Sequence, residues 1–485
     1  MLARATAVIV WATVGLLASA GRWAYADTGE SSAAHAADSA ENQDLQLIPK
    51  AIRSESSAPP TGPAAPPISH RLYIEGAFSG NSLRGTNLVP APSSSPHWQG
   101  RLLFDARVRW PVGEHTGFVV SDRLNLRAEN DIDFPNHENF INDLREVYLS
   151  LQIGTRSYLD VGRVNLKSGV ALGFNPTDFF KTRAVTEPLS ADPTALREDR
   201  LGTVMLRAQR VLDRGSVMLV YAPQLKSRSA LYSNLDLPSV DPGFDRTNGT
   251  QRWLLKGTAN FTANFSPELL YYHEPGTDRV GLNLTRAFGR HSVAYLEWSG
   301  GSRTNLIDQA LAYGRATGTL PAAAPAVLPE NAERRFQSEL AVGASYTTVS
   351  ELTLNLEYHY DQAAFSAADW RRWFAVGTTT PDPTARAELW YLRAYASDRQ
   401  QPVSRHSLFL LASWSDAFIP KLNLSGFVNT DLYDGSSLLQ LSTTYDVSDH
   451  WTIGGLIMGY LGGRRTNYGS LPVQATVLVN ITRYL

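Results

Sequence analysis

The sequence predicts an all-β protein, a transmembrane antiparallel β-barrel of about 18 strands with long extracellular loops and short periplasmic turns. Three observations lead to this prediction. Apolar and polar residues alternate over stretches of about ten residues from position 71 to the end, as in strands with one face to lipid and one to a polar lumen. Long and short connectors alternate between these stretches, and the chain begins with a segment typical of exported proteins.

The composition excludes several other classes of protein. The chain has 485 residues, a formal net charge of −2, no cysteine and only 19% charged residues, against about 25% in soluble domains. A nucleic-acid-binding protein would show a basic excess, so no nucleic-acid partner is expected. The absence of cysteine excludes disulfides and cysteine-ligated metal sites.

Residues 1–26 are predicted to be a signal peptide. Arg4 precedes an apolar stretch over 5–20, and Ala24-Tyr25-Ala26 forms a cleavage site with small residues three and one before the cut. The apolar stretch is shorter than the ~20 residues that span a bilayer. Residues 27–69, rich in Ala, Ser, Pro and Glu, are predicted to be a disordered periplasmic arm, with a short partner-binding tail as the alternative. Residues 70–485 then form the barrel.

Eighteen strands follow from the alternation of apolar and polar residues. Leu102, Phe104 and Trp110 share one face of the second strand, whereas Arg101 and Asp105 share the other. A soluble sandwich also alternates, but its strands are usually ~5–6 residues long. Sixteen or twenty strands remain alternatives. The predicted strands are 71–84, 97–110, 117–129, 144–153, 156–164, 200–211, 216–225, 250–263, 267–274, 278–288, 291–301, 334–347, 351–362, 404–414, 420–432, 436–447, 451–462 and 472–485.

The connectors support the barrel. The long ones, at 165–199, 226–249, 302–333 and 363–403, never occupy two successive positions and alternate with turns as short as Gly154-Thr155. This is the pattern of long extracellular loops and short periplasmic turns, and an even strand number leaves both termini in the periplasm.

The alternation also assigns polar side chains to the lumen. An arginine-rich strip on the second and third strands could bind carboxylates, phosphates or sugar hydroxyls in turn, because guanidinium groups are permanently charged bidentate donors. The same residues could instead pair across strands with Asp and Glu, and both interpretations stay open. The candidate lumen residues are Arg101, Asp105, Arg107, Arg109, Arg123, Arg127, Glu129, Glu146, Arg207, Lys256 and Glu357.

One region resembles a known group of barrels. Arg145-Glu146-Val147-Tyr148-Leu149, Gly162-Arg163 and Asn175-Pro176-Thr177-Asp178 resemble a recurring element of porin-like outer-membrane barrels, and the first two parts occur in the eighteen-stranded alginate exporters. The sequence departs from those exporters at Val164-Asn165. The resemblance implies that loop 165–199 folds into the barrel and constricts it, with Lys167, Asp178, Lys181 and Arg183 as candidate residues. A solvated external loop is the alternative.

The predicted function is passive passage of an anionic or hydroxyl-rich solute, with export of a secreted polysaccharide as the specific expectation. The alternative is a general or small-substrate uptake porin, and an outer-membrane hydrolase or an adhesion protein is a rival from another class. Motifs of nucleophilic, zinc-dependent or phosphate-binding enzymes are missing from the sequence, so no catalytic residue, metal or cofactor is expected. Glu357, His359 and Asp361 are interpreted as a polar lumen ladder rather than a metal site. The expected location is the cell outer membrane of a Gram-negative bacterium, with outer-membrane lipid, the barrel-assembly machinery and the solute as partners.

Overall fold

The computed structural model describes residues 68–92, 95–130, 140–187, 189–191, 195–225, 243–262, 264–321 and 326–485. The predicted signal peptide and the predicted arm up to residue 67 lie outside these ranges. The first strand begins at Ser69, so the last residue of the predicted arm belongs to the barrel.

The described residues form eighteen antiparallel strands in one closed sheet. Each strand pairs with the next along the chain, and the last strand closes the barrel on the first, with Phe78 opposite Val479. The strands are β1 (Ser69–Leu83), β2 (Trp98–Gly113), β3 (Thr116–Glu129), β4 (Phe140–Ile153), β5 (Ser157–Val164), β6 (Thr203–Leu212), β7 (Gly215–Ala222), β8 (Arg252–Ala259), β9 (Glu268–Glu274), β10 (Thr277–Phe288), β11 (Ser292–Arg303), β12 (Arg335–Thr347), β13 (Leu352–Asp361), β14 (His406–Trp414), β15 (Leu422–Asp431), β16 (Ser437–Ser448), β17 (Trp451–Leu461) and β18 (Val473–Tyr484).

The predicted fold class is therefore confirmed. Every predicted strand is present, with ends that differ by at most four residues. Alternation also assigns the two faces as expected: Phe104 on β2 is exposed on the outside, whereas its neighbours Leu103 and Asp105 are buried inside. The outer faces of the strands form a broad apolar belt, which is the surface that a bilayer requires.

The long connectors contain helices that the sequence analysis did not predict. They are α1 (Ala195–Glu198), α2 (Phe244–Asn248), α3 (Leu306–Thr317), α4 (Ala367–Thr379) and α5 (Pro383–Asp398). Start signals were available for the longest two. Ser366 caps α4 in a capping box with Asp369, and Asp382 caps α5, which has Pro383 in its first turn.

Helices α3, α4 and α5, called here the helical cap, cover the end of the barrel where the long loops lie. Their shared core includes Leu311, Trp370, Trp373 and Leu389, and Val89 from the β1–β2 loop packs into it. The cap therefore has its own apolar core outside the barrel wall. Among the described residues, no helix is long and apolar enough to cross a membrane.

Candidate pore

The described residues of 165–202 (all except 188 and 192–194), called here the internal loop, leave the end of β5 and fold into the barrel. Their base is held by the residues of the porin-like sequence element. Arg163 Nε donates to the Gly202 carbonyl oxygen at 2.9 Å, and Gly202 N–H donates to the Arg145 carbonyl oxygen at 2.8 Å. Asp178 pairs with Arg200 at 2.8 Å, and both side chains are buried. The element thus stabilises the entry and exit of the internal loop.

Arginines of the predicted strip form ion pairs, and two of the carboxylates in these pairs, Glu187 and Asp199, come from the internal loop. Arg123 lies 2.8 Å from Asp105 and 2.7 Å from Asp199, and Arg145 pairs with the same two carboxylates at 2.8 Å each. Arg101 contacts Glu187 at 2.6 Å. The structure therefore favours the pairing interpretation of this strip over a row of displayed positive charges.

Other residues of this strip also have ion-pair or hydrogen-bond partners. Arg101 also lies 2.5 Å from Glu75, and Arg127 lies 3.6 Å from Glu187. Glu129 accepts a hydrogen bond from Gln99 at 2.6 Å. The second and third strands thus carry a cross-linked wall that the loop covers.

Apolar side chains dock the middle of the internal loop on the inner face of β5–β9. Phe179 stacks on Tyr272 with ring centroids 4.6 Å apart, and Phe180 packs in the same cluster with Met205 and Leu254. A polar lumen wall was expected here. The patch of inner face under Phe179 and Phe180 is apolar because it contacts the loop rather than water. Burial of these two rings therefore stabilises the docked loop.

The far end of the internal loop contacts the opposite side of the barrel. Glu357 on β13, a predicted lumen residue, is fully buried and accepts hydrogen bonds from the backbone of Leu172 at 2.6 Å and Gly173 at 2.9 Å. Glu297 on β11, which the sequence analysis did not single out, contacts the two preceding residues. The loop therefore crosses the lumen from β3–β9 to β11–β13.

A connected cavity of about 1860 Å³ remains beside the internal loop. Its lining includes Thr319 and Trp390 at the cap end, and Glu351 and Ser415 at the short-turn end, so it runs along most of the barrel. Its barrel side includes inward residues of many strands, from Arg207 on β6 and Lys256 on β8 to His359 on β13. The part on β14–β17 carries one charge, Asp431, and the uncharged inward residues there are called here the neutral wall: Phe409, Phe427, Asn429, Gln440, Met458 and Tyr460.

The loop side of the cavity carries basic residues. Lys181 Nζ donates to the Asn175 carbonyl oxygen at 2.6 Å and lies 4.4 Å from the ring centroid of Phe174. The Arg183 guanidinium lies 4.3 Å from the ring centroid of Tyr313. Within the described residues, these two side chains contact a carbonyl group and aromatic rings, and no carboxylate oxygen lies within 4 Å of either charge. Glu339 and Asp178 act on Lys181, and Asp398 acts on Arg183, only at longer range. Burial lowers the pKa of Lys181 to about 8.

The remaining predicted residues lie on the inner face, and most have ion-pair partners. Arg107 pairs with Glu146 at 3.3 Å, near the short-turn end, and its side chain is 44% exposed. Arg109 lies on the same face of β2. Three further pairs are Arg207 with Asp160 at 2.6 Å, Lys256 with Glu268 at 2.9 Å and Lys167 with Glu198 at 2.5 Å. Of the eleven predicted lumen residues, only Arg207 and Lys256 line the cavity.

The predicted polar ladder does not act as one unit, because its first two residues contact each other and the internal loop, whereas Asp361 pairs with an arginine. Glu357 accepts from His359 Nε2 at 2.7 Å and contacts the loop, whereas Asp361 pairs with Arg303 at 3.3 Å. Across the described parts of the chain, no group of three or more His, Cys, Asp or Glu residues is arranged to hold a metal ion.

The sequence analysis missed the neutral wall and Glu297. A signal for the neutral wall existed, because the inward positions of β14–β18 carry only two charges, Asp431 and Asp446, in strands that are described throughout. Glu297 also lies at an inward position of β11. Its contact with a loop 127 residues away in sequence could not be deduced from the alternation.

The fold is similar to that of known porin-type channels. No protein-family model matches the sequence, and no curated protein is similar to it. OccAB1 of Acinetobacter baumannii shares 8% identity, over 86% of this chain and 96% of that chain, with a TM-score of 0.50. OccK5 (OpdH) of Pseudomonas aeruginosa shares 9% over 86% and 98%, with a TM-score of 0.47. A triple mutant of the Rhodopseudomonas blastica porin shares 9% over 86% and 100%, with a TM-score of 0.39.

At these identities the likeness shows the fold alone, a porin-like closed barrel. It does not show membership of the alginate-export group that the sequence element suggested. The barrel and its apolar belt agree with the predicted location in the outer membrane.

Proposed function

We propose that the protein is a passive outer-membrane channel for small hydrophilic solutes, with a preference for anions. One observation carries this proposal: a closed barrel with an apolar exterior contains a connected cavity that passes beside an internal loop. The long loops and the helical cap would face outside, and the short turns would face the periplasm.

The uptake alternative is better supported than polysaccharide export. The internal loop contacts β2 through Arg101, β11 through Glu297 and β13 through Glu357, so it occupies the middle of the lumen. The free path is the space along the neutral wall. Such a path suits small solutes that pass one at a time, and the helical cap covers the end from which a long polymer would emerge.

The preference for anions rests on the loop rather than on the arginine strip. Lys181 and Arg183 line the cavity without a carboxylate partner among the described residues, whereas Arg101 and Arg123 are paired. Positive side chains beside a narrow low-dielectric path raise the local concentration of anions.

Ion selectivity in planar bilayers tests the charge part of the proposal. The wild type should pass chloride more readily than potassium in a salt gradient, and the double variant Lys181→Gln/Arg183→Gln should lose part of that preference. Arg156→Gln is the matched control, because it removes one positive charge at an exposed short turn. A cation-selective wild type would contradict the proposal.

Liposome swelling tests the size part. Vesicles that contain the protein should swell in isotonic monosaccharide and should not swell in a long neutral dextran. Entry of the dextran would favour the polysaccharide-export interpretation instead.

A further inference from the structure

Two buried glutamates bind four consecutive backbone N–H groups at the tip of the internal loop. Glu297 Oε1 accepts from Val170 N–H and, at 2.6 Å, from Ala171 N–H. Glu357 accepts from Leu172 N–H at 2.6 Å and from Gly173 N–H at 2.9 Å, one on each oxygen. Both side chains have no exposed surface.

Neighbouring side chains complete the hydrogen bonding of these carboxylates. Tyr295 O–H donates to Glu357 Oε1 at 2.5 Å, and His359 Nε2 lies 2.7 Å from Glu357 Oε2. Thr177 O–H donates to Asn283 Oδ1 at 2.8 Å, and its oxygen lies 3.3 Å from Glu297 Oε2. Carboxylates with this many donors are held in one orientation, because an ionised carboxylate has about four acceptor positions.

Two glycines allow the loop backbone to approach so closely. Gly169 has φ 76°, and a Cβ atom there would lie 2.3 to 2.5 Å from the carboxylate of Glu297. A Cβ atom on Gly173 would lie 2.6 Å from His359 Cε1. A side chain at Gly169 would separate the Glu297 carboxylate from the loop backbone, and a side chain at Gly173 would meet His359 and Phe409.

The direction of a released tip follows from the rest of the loop. The loop base is held by Arg163 and Arg200, and Phe179 is docked on Tyr272, so the tip has to stay inside the barrel. Leu172, Gly173 and Phe174 already line the cavity, and Gly173 lies close to the ring of Phe409 in the neutral wall. A tip that leaves β11 and β13 therefore moves into the cavity.

We propose that Glu297 and Glu357 form a carboxylate clamp that keeps the pore open by pinning residues 170–173 to the barrel wall. The two glutamates are positioning residues: they act on the path through the loop rather than by contact with the solute. This inference rests on the proposed channel function for its consequence on conductance, but the clamp itself is a property of the loop.

The test compares two double variants that remove the same two charges. Glu297→Ala/Glu357→Ala removes all the acceptors. Glu297→Gln/Glu357→Gln keeps one acceptor oxygen at each site and so can keep three of the four backbone hydrogen bonds, because Glu297 uses one oxygen for two of them and Glu357 uses both oxygens. In planar bilayers the alanine pair should show frequent closures and a lower mean conductance, and the glutamine pair should lie closer to wild type than to the alanine pair. Equal behaviour of the two pairs would assign the effect to charge and overturn the clamp.

A chemical label reports the position of the tip without any reference to conduction. The chain has no cysteine, and Ala171 is completely buried. The thiol introduced by Ala171→Cys should react slowly with a water-soluble maleimide in the wild-type background. It should react at least roughly tenfold faster with the alanine pair, as expected when local opening becomes about ten times more populated. Unchanged labelling and unchanged conductance would overturn the clamp.

A third variant covers the case in which the alanine pair does not fold. Gly169→Ala keeps both carboxylates and should reproduce the closures and the faster labelling. Gly85→Ala is its control, because a Cβ atom there meets nothing within 4 Å. If the tip labels as predicted and no variant conducts, the channel proposal fails while the clamp stands. Wild-type behaviour of Gly169→Ala would contradict the clamp.

Discussion

At the scale of single residues, most charged side chains inside this barrel form ion pairs with other residues of the chain. Arg123 lies between Asp105 and Asp199 with almost no exposed surface, whereas Arg107 pairs with Glu146 close to solvent. Buried charges without partners are expensive in a low-dielectric interior, so an inward arginine that the loop covers needs a carboxylate, as Arg123 has, or neutral acceptors and an aromatic ring, as Arg252 has. The number of inward arginines is therefore a poor measure of the charge that a passing solute meets.

Arg123→Ser and Arg107→Ser should differ sharply in their effect on stability. Removing Arg123 leaves two buried carboxylates short of a partner and should cost about 3–5 kcal/mol of unfolding free energy. Removing Arg107 should cost at most ~1 kcal/mol, because that pair is partly exposed. Denaturant unfolding in detergent measures both values. Similar losses would contradict the buried-pair interpretation.

Lys181 should make the anion preference depend on pH. Burial lowers the pKa of its amine to about 8, below the usual value for lysine, so the positive charge is present at pH 7 and mostly lost at pH 9. Anion preference should therefore fall as the pH rises through 8. Reversal potentials at pH 6 to 9 measure it, and Lys181→Gln should show a flat profile over the same window. A wild-type anion preference that does not change near pH 8 would contradict the role given to the charge of Lys181.

At the scale of elements, the internal loop is held by three kinds of contact. Ion pairs hold it to β2–β4, stacked rings hold it to β5–β9, and backbone hydrogen bonds hold it to β11 and β13. The cavity that these contacts leave is lined by the loop and by inward residues of β6–β8 and β10–β17. The loop meets the neutral wall at two places: Gln440 Nε2 donates to the Ser190 carbonyl oxygen at 3.4 Å, and Gly173 lies close to Phe409.

Phe179→Ala/Phe180→Ala should undock the middle of the loop and leave the barrel intact. Each buried ring that is truncated to alanine costs about 3–5 kcal/mol, whereas the strand pairing does not involve these side chains. Trypsin should then cleave at Lys181 or Arg183 in the folded protein. Phe261→Ala is the control, because its ring is 71% exposed at a short turn. Trypsin resistance equal to that of wild type would show that ion pairs alone hold the loop.

The helical cap depends on Arg393 in α5. Its guanidinium lies 5.0 to 5.4 Å from the ring centroids of Trp370, Trp373 and Trp390, and it donates to Ser470 at 2.8 Å and to the Asn467 carbonyl oxygen at 2.9 Å. Arg393→Met keeps a long apolar stem but loses these hydrogen bonds. Amide hydrogen exchange should rise at Tyr468–Ser470 and stay unchanged in the strands. Protected amides at this segment in the variant would contradict the role of Arg393.

At the scale of the whole molecule, closure removes every free strand edge. Pairing of β1 with β18 completes a ring in which each strand has two neighbours, and this leaves no unsatisfied backbone groups along a strand edge facing lipid. The outside of the ring is apolar over most of its height, so it can contact the hydrocarbon core of a bilayer.

The native protein should therefore behave as an integral outer-membrane barrel. We expect it to resist extraction by urea, to sediment with outer membranes, and to migrate faster on gels when unheated than when boiled. Fractionation followed by heated and unheated electrophoresis checks this expectation. Recovery in the soluble periplasmic fraction would contradict the assignment to the membrane.

The sequence by itself determined the fold class, the faces of the strands and the order of long and short connectors, and it predicted eighteen strands with sixteen or twenty as alternatives. Period-two alternation is a local property, because successive side chains of a strand point to opposite faces whatever lies beyond them. Leu102 and Asp105 are therefore assigned to outside and inside from β2 alone. The neutral character of the inner face of β14–β18 was also open to inspection in the sequence.

Only the tertiary structure decided which inward residues meet the path of a solute. Alternation assigns Arg123 and Arg207 to the same side of the wall, but Asp199 of the internal loop covers the first and leaves the second beside the cavity. The clamp joins Val170 to Glu297, 127 positions later in the sequence. Strand parity is set within a few neighbouring residues, whereas the position of a loop depends on partners from distant strands that only the closed barrel brings together.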